Sequence, residues 1–321
     1  MKLFRHWDLP ADAKGSVVAI GNFDGVHLGH QVVIREAAAV AGELKAPLAV
    51  LSFEPHPRAV FRPDDPPFRL TPFRIRARQL EALGIDIHVC LHFDLDFARR
   101  SADWFAQTVL AEGLGARHVA IGYDFCFGHN RQGNAETLLG YGRRHGFGVT
   151  VVTQASDESG GVYSSSRIRQ LLKDGKPREA ALLLGRPWEI EGRVEHGDKR
   201  GRHLNYPTAN VMLNDYLRPA YGVYAVRAAV DEGPVSGGGA DAAADAGPIW
   251  YDGVANLGIR PMWQTDEPML EAHLFDFAGD LYGRHLRVKL VEYLRGEMKF
   301  DDIGALVRQM DADSAEARKH L

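Results

Sequence analysis

Cysteine is almost missing from this chain: two residues, Cys90 and Cys126, in 321. Two thiols build no framework of bridges, and a reducing compartment is the simple reading. Long apolar runs are missing too. No stretch reaches membrane-spanning length, and the opening MKLFRHWDLP lacks the apolar core of a signal peptide. Charge of one sign is not in excess. The net charge of −4 gives no global pull toward nucleic acid. These absences lead us to expect a cytoplasmic protein with no membrane and no nucleic-acid partner; a homo-oligomer stays open. The composition that remains is globular, 45% hydrophobic and 25% charged, and the length suits two domains.

The chain changes texture once. Up to about residue 185, strand-like runs alternate with helical ones. The strand candidates are SVVAIG, LAVLSFE (48–54), DIHVCLHF (86–93), HVAIGYD (118–124) and GVTVVTQ (148–154). Between them lie RIRARQLEALG (74–84) and SADWFAQTVLAEGL (101–114), the latter with Ser101 placed as an N-cap. This alternation predicts a parallel sheet covered on both faces, with ligands beyond the carboxyl ends of its strands. After Trp188 the runs WEIEGRVEHG, TANVML, GVYAVRAAV, IWYDGVANLG, LEAHLFDF and LRVKLVEYL predict an all-β unit, a small barrel. GPVSGGGADAAADAGP (233–248) reads as a flexible hairpin loop without chemistry. Ile303, Leu306, Val307 and Met310 repeat at helical spacing and predict a closing helix.

The chemistry of the first half gathers at GNFDGVHLGH (21–30). An apolar strand precedes it and an Ala-rich helix follows, so His27 and His30 fall on one face of a helix start. Helix N-termini suit anions such as phosphate. Three readings stand side by side: phosphate donors, a metal pair lacking any evident third ligand, or two ordinary surface histidines. YSSSRIRQLL (163–172) offers Ser164, Ser165 and Ser166 with Arg167 and Arg169 at a second helix start. Hydroxyls, backbone N–H groups and guanidinium forks make a phosphate clamp, although a Ser-rich cap before a basic helix is also common. FEPHP (53–57) and GYDFCFGHNRQGN (122–134) each follow a strand. The aromatics of the second could pack a flat ring or join the core.

In the second half, GDKRGRHLNYPTANV (197–211) places a glycine-flanked basic loop before Pro207-Thr208-Ala209-Asn210. On a strand Thr208 and Asn210 share a face, and their oxygens are hard ligands suited to Mg²⁺ on nucleotide phosphates, or simply polar strand residues. In LEAHLFDF, Glu271, His273 and Phe275 share one face, while Leu270, Ala272 and Leu274 share the other. Glu271 is either a base for an alcohol attacking phosphate or an exposed strand carboxylate.

Over nearly its whole length this sequence resembles the bacterial bifunctional riboflavin kinase/FAD synthetases. GxFDGxHxGH, the ISSTRIR-like SSSRIR, PTAN, LEAHLFDF and LRGEMKF (294–300) carry the resemblance. It implies a nucleotidylyltransferase-type parallel α/β domain over 1–185, acting as FMN adenylyltransferase. A small β-barrel with a closing helix over 186–321 would act as riboflavin kinase. The implied substrates are riboflavin, FMN and ATP, with Mg²⁺. By the same resemblance, His27 and His30 stabilise charge on the ATP α-phosphate, and Gly21, Asn22, Phe23 and Asp24 line the ATP site. Ser164, Ser165, Ser166 and Arg167 grip phosphate, and Gly197, Lys199 and Gly201 lie in the kinase phosphate loop. Thr208 and Asn210 bind Mg²⁺–ATP, and Glu271 deprotonates the ribityl hydroxyl. Asp124, Phe125 and Arg295 fall to the flavin. The chain departs from the family pattern at Cys126 (usually Arg), Ser166 (usually Thr), Asn205-Tyr206 (usually Gly-Phe) and Met262 (usually Thr).

Overall fold

The computed structural model describes every residue except 157–159, 196–205, 232–247 and 260–266. The chain forms two compact units. Residues 1–66 and 71–165 make the first, and residues 67–70 and 166–321 the second. Among the described residues no helix is long and apolar enough to cross a membrane.

The first unit is built on six parallel strands, β1 (Lys2–Phe4), β2 (Val17–Ile20), β3 (Leu48–Glu54), β4 (Ile87–His92), β5 (His118–Gly122) and β6 (Gly148–Val152), in the order β1-β4-β3-β2-β5-β6. Five of them follow the sequence expectation. The edge strand β1 does not, because three residues at a terminus carry too little pattern to read. Its helices are α1 (Leu28–Leu44), α2 (Pro57–Phe61), α3 (Phe73–Ala82), α4 (Leu95–Ala98), α5 and α6 (Ala135–His145). Helix α5 begins as an α turn over Ala102–Trp104 and continues with π hydrogen bonding over Phe105–Gly113. Ser101 caps it by accepting from the Trp104 N–H at 3.1 Å, as expected.

Every residue of β2 is buried, and alternation sends successive side chains to opposite faces. Val17 and Ala19 pack against Ile34, Ala37 and Ala41 of α1, and Leu80 of α3. Val18 and Ile20 pack with Phe105 and Val109 of α5 and Leu138 of α6. Burial of such side chains contributes about 1.5–3 kcal/mol each. From β2 the chain steps through β3 to β4 on one side, then returns to β5 and β6 on the other. The carboxyl ends of β2 and β5 therefore flank the switch point of the sheet, where open α/β folds leave a crevice. GNFDGVHLGH leaves β2 there.

The second unit holds α7 (Ser165–Lys173, its first residue assigned to the first unit), α8 (Pro177–Leu184), six strands and α9 (Ile303–Ala317). The strands β7 (Trp188–Glu195), β8 (Ala209–Met212), β9 (Gly222–Asp231), β10 (Tyr251–Ile259), β11 (Pro268–Leu274) and β12 (His285–Arg295) close into an antiparallel barrel, β10-β11-β8-β7-β12-β9. Each strand-like run of the second half supplies one strand. The compact unit begins before the expected boundary at 185/186. Helix α8 packs on β7 and β12, and the indole N–H of Trp188 donates to the Leu70 carbonyl at 2.8 Å. The closing helix forms as expected. Ile303 is exposed, and the buried positions of the helix are Asp313 and Ala317. Ala317 meets Ala225 and Phe275 on the barrel wall, so the helix docks near its carboxyl end.

One buried group of the first unit titrates far from its ordinary range. His88 on β4 is enclosed, with Nε2 2.8 Å from the Ser52 hydroxyl. Burial, then the charges of Arg76 and Arg5, push it down to about 3. The folded protein keeps His88 neutral while the unfolded chain protonates it below about 6.5, so stability is lost as pH falls from about 6.5 toward 3. At pH 5 the loss is about 2 kcal/mol, at about 1.4 kcal/mol per pH unit. Urea-unfolding free energies of wild type and His88→Gln at pH 7 and pH 5 check this. The variant should lack that part of the pH dependence, and equal slopes would dismiss it.

Candidate functional site

The loop after β2 turns sharply. Phe23, Gly25 and Val26 all have positive φ, at 51°, 94° and 42°. Glycine accepts that conformation freely, whereas Phe and the β-branched Val do not, and each strained residue costs on the order of 1–3 kcal/mol. The surroundings hold the turn in place. Asp24 is buried, and its Oδ1 accepts from the Thr71 N–H at 2.9 Å and from the Thr71 hydroxyl at 3.4 Å. The same hydroxyl oxygen accepts from the Gly25 N–H at 2.7 Å. The Ser165 hydroxyl donates to the Asp24 carbonyl at 2.8 Å, Gln31 Nε2 to the Val26 carbonyl at 3.0 Å, and Arg76 Nη1 to the Asn22 carbonyl at 3.2 Å. Gly21 continues the sheet, donating to the Leu51 carbonyl at 3.1 Å.

His27 is the N-cap of α1, and its Nδ1 accepts from the His30 N–H at 3.3 Å. The two imidazoles stack with centroids 3.6 Å apart, and Phe23 meets His30 edge-on at 5.3 Å. Charge on both rings at that separation is repulsive, so an anion against the helix N-terminus is the partner that would favour it. Among the described residues no group of three or more His, Cys, Asp or Glu side chains is placed to hold a metal ion. A Cβ on Gly29 would lie 3.0 Å from Tyr163 Cβ. The absence of one lets the segment before α7 cross the first turn of α1 and bring Ser164 and Ser165 to the loop; Ser166 and Arg167 follow in the same helix. Arg169 is engaged elsewhere, its Nε donating to the Phe68 carbonyl at 2.8 Å.

The loop after β5 flanks the other side of the crevice. Phe127 is core, and the half-buried Phe125 stacks on it at 5.5 Å, leaving part of a ring surface beside the exposed Asp124. Both rings thus pack with the core, Phe127 within it and Phe125 against it. In FEPHP, Glu54 pairs with Arg76 at 2.8 Å and His56 caps α2.

In the barrel, cross-strand register assembles a second centre. Glu271 on β11 stands opposite Asn210 on β8 and, across its other edge, opposite Asn256 on β10. Glu195 faces Asn210, Val223 faces Asn256, and Arg295 faces Val223. Directly paired residues share a face, so one ring of the barrel carries Glu195, Asn210, Glu271, Asn256 and Arg295. Glu271 and Asn210 are both buried at 7% exposure, while Leu270 and Ala272 fill the barrel interior. Glu271 is therefore not an exposed strand carboxylate. Thr208 is half-buried just before β8, and the carbonyl of its neighbour Pro207 accepts from His273 Nδ1 at 2.9 Å. Thr208, Asn210 and Glu271 each carry a side-chain oxygen of the hard kind that divalent cations prefer. Arg295 makes a bidentate pair with buried Asp313 of α9, at 2.8 and 2.6 Å. Tyr206 donates its hydroxyl to Asp311 of the same helix. Gly197, Lys199, Gly201, Asn205, Met262 and all of the 233–248 insert but its last residue lie outside the described residues.

A family model described as FAD synthetase matches residues 9–167, and one described as riboflavin kinase matches 184–321. The bifunctional riboflavin kinase/FMN adenylyltransferase of Escherichia coli (strain K12) is 38% identical over 99% of this chain and 97% of its own length. This chain belongs to that bifunctional family. Its Pseudomonas fluorescens member is 40% identical, covering 97% of this chain and 94% of that protein, and the Bacillus subtilis (strain 168) member 37%, covering 95% and 92%. A crystal structure from Streptococcus pneumoniae titled as a macrolide-efflux protein is similar over 98% of both chains, with a TM-score of 0.83 and 31% identity.

Three residues at these centres escaped the sequence reading: Thr71, Arg76 and Asn256. Asn256 lay inside the strand-like run IWYDGVANLG, and only register reveals its neighbours. Thr71 and Arg76 meet the family's histidine loop from 46 or more positions away. Replacing Thr71 with Val removes a hydroxyl that both donates and accepts in a buried cycle. We expect a loss of about 1–3 kcal/mol in stability. Amide exchange should accelerate at Gly25, whose partner is lost, more than along β2. Thermal melts and hydrogen exchange check both.

Proposed function

We propose that this bifunctional riboflavin kinase/FMN adenylyltransferase performs its reactions at two separate centres, kinase chemistry on the barrel ring and adenylyl transfer at the β2–α1 loop. The observation that carries the reading is the ring that sets buried Glu271 between Asn210 and Asn256. That arrangement suits one base beside oxygen ligands. We assign the kinase function to residues 186–321 and the transferase function to residues 1–185.

In the kinase reaction Glu271 takes the proton of the ribityl terminal hydroxyl. The freed oxygen attacks the ATP γ-phosphorus and ADP leaves, giving FMN. Thr208 and Asn210 would hold Mg²⁺, which when bound neutralises phosphate charge. Gly197, Lys199 and Gly201 would contact the phosphates, and Arg295, braced by Asp313, would stand at the flavin end. Positioning and charge neutralisation supply most of such catalysis. In the transferase reaction a phosphate oxygen of FMN attacks the ATP α-phosphorus and pyrophosphate leaves, giving FAD. His27 and His30 donate to the α-phosphate as charge builds. Gly21, Asn22, Phe23 and Asp24 shape the ATP side, Ser164, Ser165, Ser166 and Arg167 grip the departing phosphates, and Asp124 and Phe125 stand toward the flavin. On this reading the enzyme works in the cytoplasm, in keeping with two free cysteines.

Incubation with riboflavin, ATP and Mg²⁺, with FMN and FAD resolved by chromatography, tests the whole reading; absence of either product would refute its half. His27→Ala and His30→Ala should each lower FAD formation by on the order of 10²–10³ while FMN formation continues. Glu271→Gln should do the converse, lowering FMN formation by about 10²–10⁴ with little change in riboflavin or ATP affinity. FAD formation from supplied FMN should persist in that variant. A Glu271→Gln enzyme with wild-type kinase turnover would return the carboxylate to a structural role.

A further inference from the structure

Arg76 is wholly enclosed, with no exposed side-chain surface, in helix α3 below the carboxyl ends of three neighbouring strands. Its guanidinium reaches each of them. Nη1 donates to the Asn22 carbonyl just past β2 at 3.2 Å. Nη2 lies 2.8 Å from Glu54 Oε2 and 3.5 Å from the Phe53 carbonyl on β3, and 3.7 Å from Cys90 Sγ on β4. Enclosing a cation is expensive unless its partners are fixed, and here they come from the ends of three neighbouring strands. Asn22 is the first residue of the strained turn that ends in His27. Glu54 ends β3 and is the second residue of FEPHP, whose His56 caps α2. A single planar fork thus ties together the starts of two loops that border the same crevice.

We propose that Arg76 is a positioning residue for adenylyl transfer, holding the Asn22–His27 turn in register with the end of β3 so that the two imidazoles meet the α-phosphate at the right place. The inference rests on the assignment of adenylyl transfer to the β2–α1 loop. Lysine retains the charge but not the fork, so one ammonium cannot hold all three strand ends at once. Methionine retains bulk and removes both charge and donors.

The test measures FAD formation from FMN and ATP in the full-length wild type, Arg76→Lys and Arg76→Met. FMN formation and circular dichroism are followed on the same samples. Misplacement of reacting groups by about 1 Å costs on the order of 10²-fold in rate. Arg76→Met should therefore lose about 10²-fold in kcat for FAD formation, with KM for ATP changed less than about threefold. Arg76→Lys should recover to roughly tenfold below wild type, with FMN formation unaltered in both. Hydrogen exchange of Arg76→Lys should be several-fold faster across Asn22–His27 than in wild type, and unchanged along α1 beyond Gln31. Should Arg76→Met fail to fold, the lysine variant alone decides. Wild-type kcat in the lysine variant, or a lowered kcat with unchanged loop exchange, overturns the proposal. A wild-type protein that forms no FAD overturns the underlying assignment instead.

Discussion

Asp24 is the pin of the first unit's chemistry. A parallel strand must deliver its chain to a helix within seven residues, Gly21 to His27, and this route passes through three residues of positive φ. Such a turn unwinds unless something outside it is costly to give up. A buried carboxylate meets that condition. Once Asp24 is enclosed, its lone pairs need donors, and Thr71 supplies an amide and a hydroxyl. Leaving a buried acceptor without them costs on the order of 1–3 kcal/mol, comparable with the strain of the turn. Ser165 then reads the Asp24 carbonyl, which sets where α7 begins. The histidines occupy a helix start whose position is fixed from below by this cycle.

The barrel solves its positioning problem in another way. Its polar ring carries no strained turn among the described residues. Glu271, Asn210 and Asn256 face one another because antiparallel pairing sets direct neighbours about 5 Å apart, and a slip by one residue would move all three to the opposite face. Leu270 and Ala272 make such a slip prohibitive, since it would exchange interior methyl groups for carboxylate and amide. The hydrophobic interior thereby fixes the chemistry on the outer wall. Helix α9 is tied to the same ring through Arg295 and Asp313, although its apolar contact lies farther along, at Ala225, Phe275 and Ala317.

Legibility followed the range of the interactions. Strands, the Ser101 cap and the strand–loop–helix at GNFDGVHLGH are set by neighbours within a few residues, and the sequence displays them. The six barrel strands were equally plain, because alternation and glycine turns are local. Thr71 was silent because nothing near it distinguishes a threonine that closes a buried cycle from one on a surface. Arg76 sits in a run with Arg74 and Arg78 and looks like one cation of a solvated face; only the fold encloses it. The closing helix was legible, but where it docks was not. Its apolar repeat at Ile303, Leu306, Val307 and Met310 marks the helix, while the buried contacts sit near its other end, and one of them is the carboxylate of Asp313. An acidic residue is read as outward-facing until a partner such as Arg295 is known.

The two centres also differ in what their electrostatics demand. Adenylyl transfer handles a phosphate attacking a phosphate, so negative charge must be gathered and held. Helix N-termini, hydroxyls and imidazoles do this with partial charges that need little reorganisation during the reaction. In the proposed adenylyl-transfer centre the stacked His27–His30 pair stands at the start of α1, where a helix N-terminus suits an anion. Phosphorylation of an alcohol begins with a neutral nucleophile and needs a base, so its centre is arranged around a carboxylate. In the proposed kinase centre Glu271 is buried in register with two amides, Asn210 and Asn256, which add no charge of their own. A lysine or arginine in either place would bind Glu271 as an ion pair and draw down its basicity. On both flanking strands the direct neighbour of Glu271 is an amide, so the ring stays polar there without a cation in register with the carboxylate.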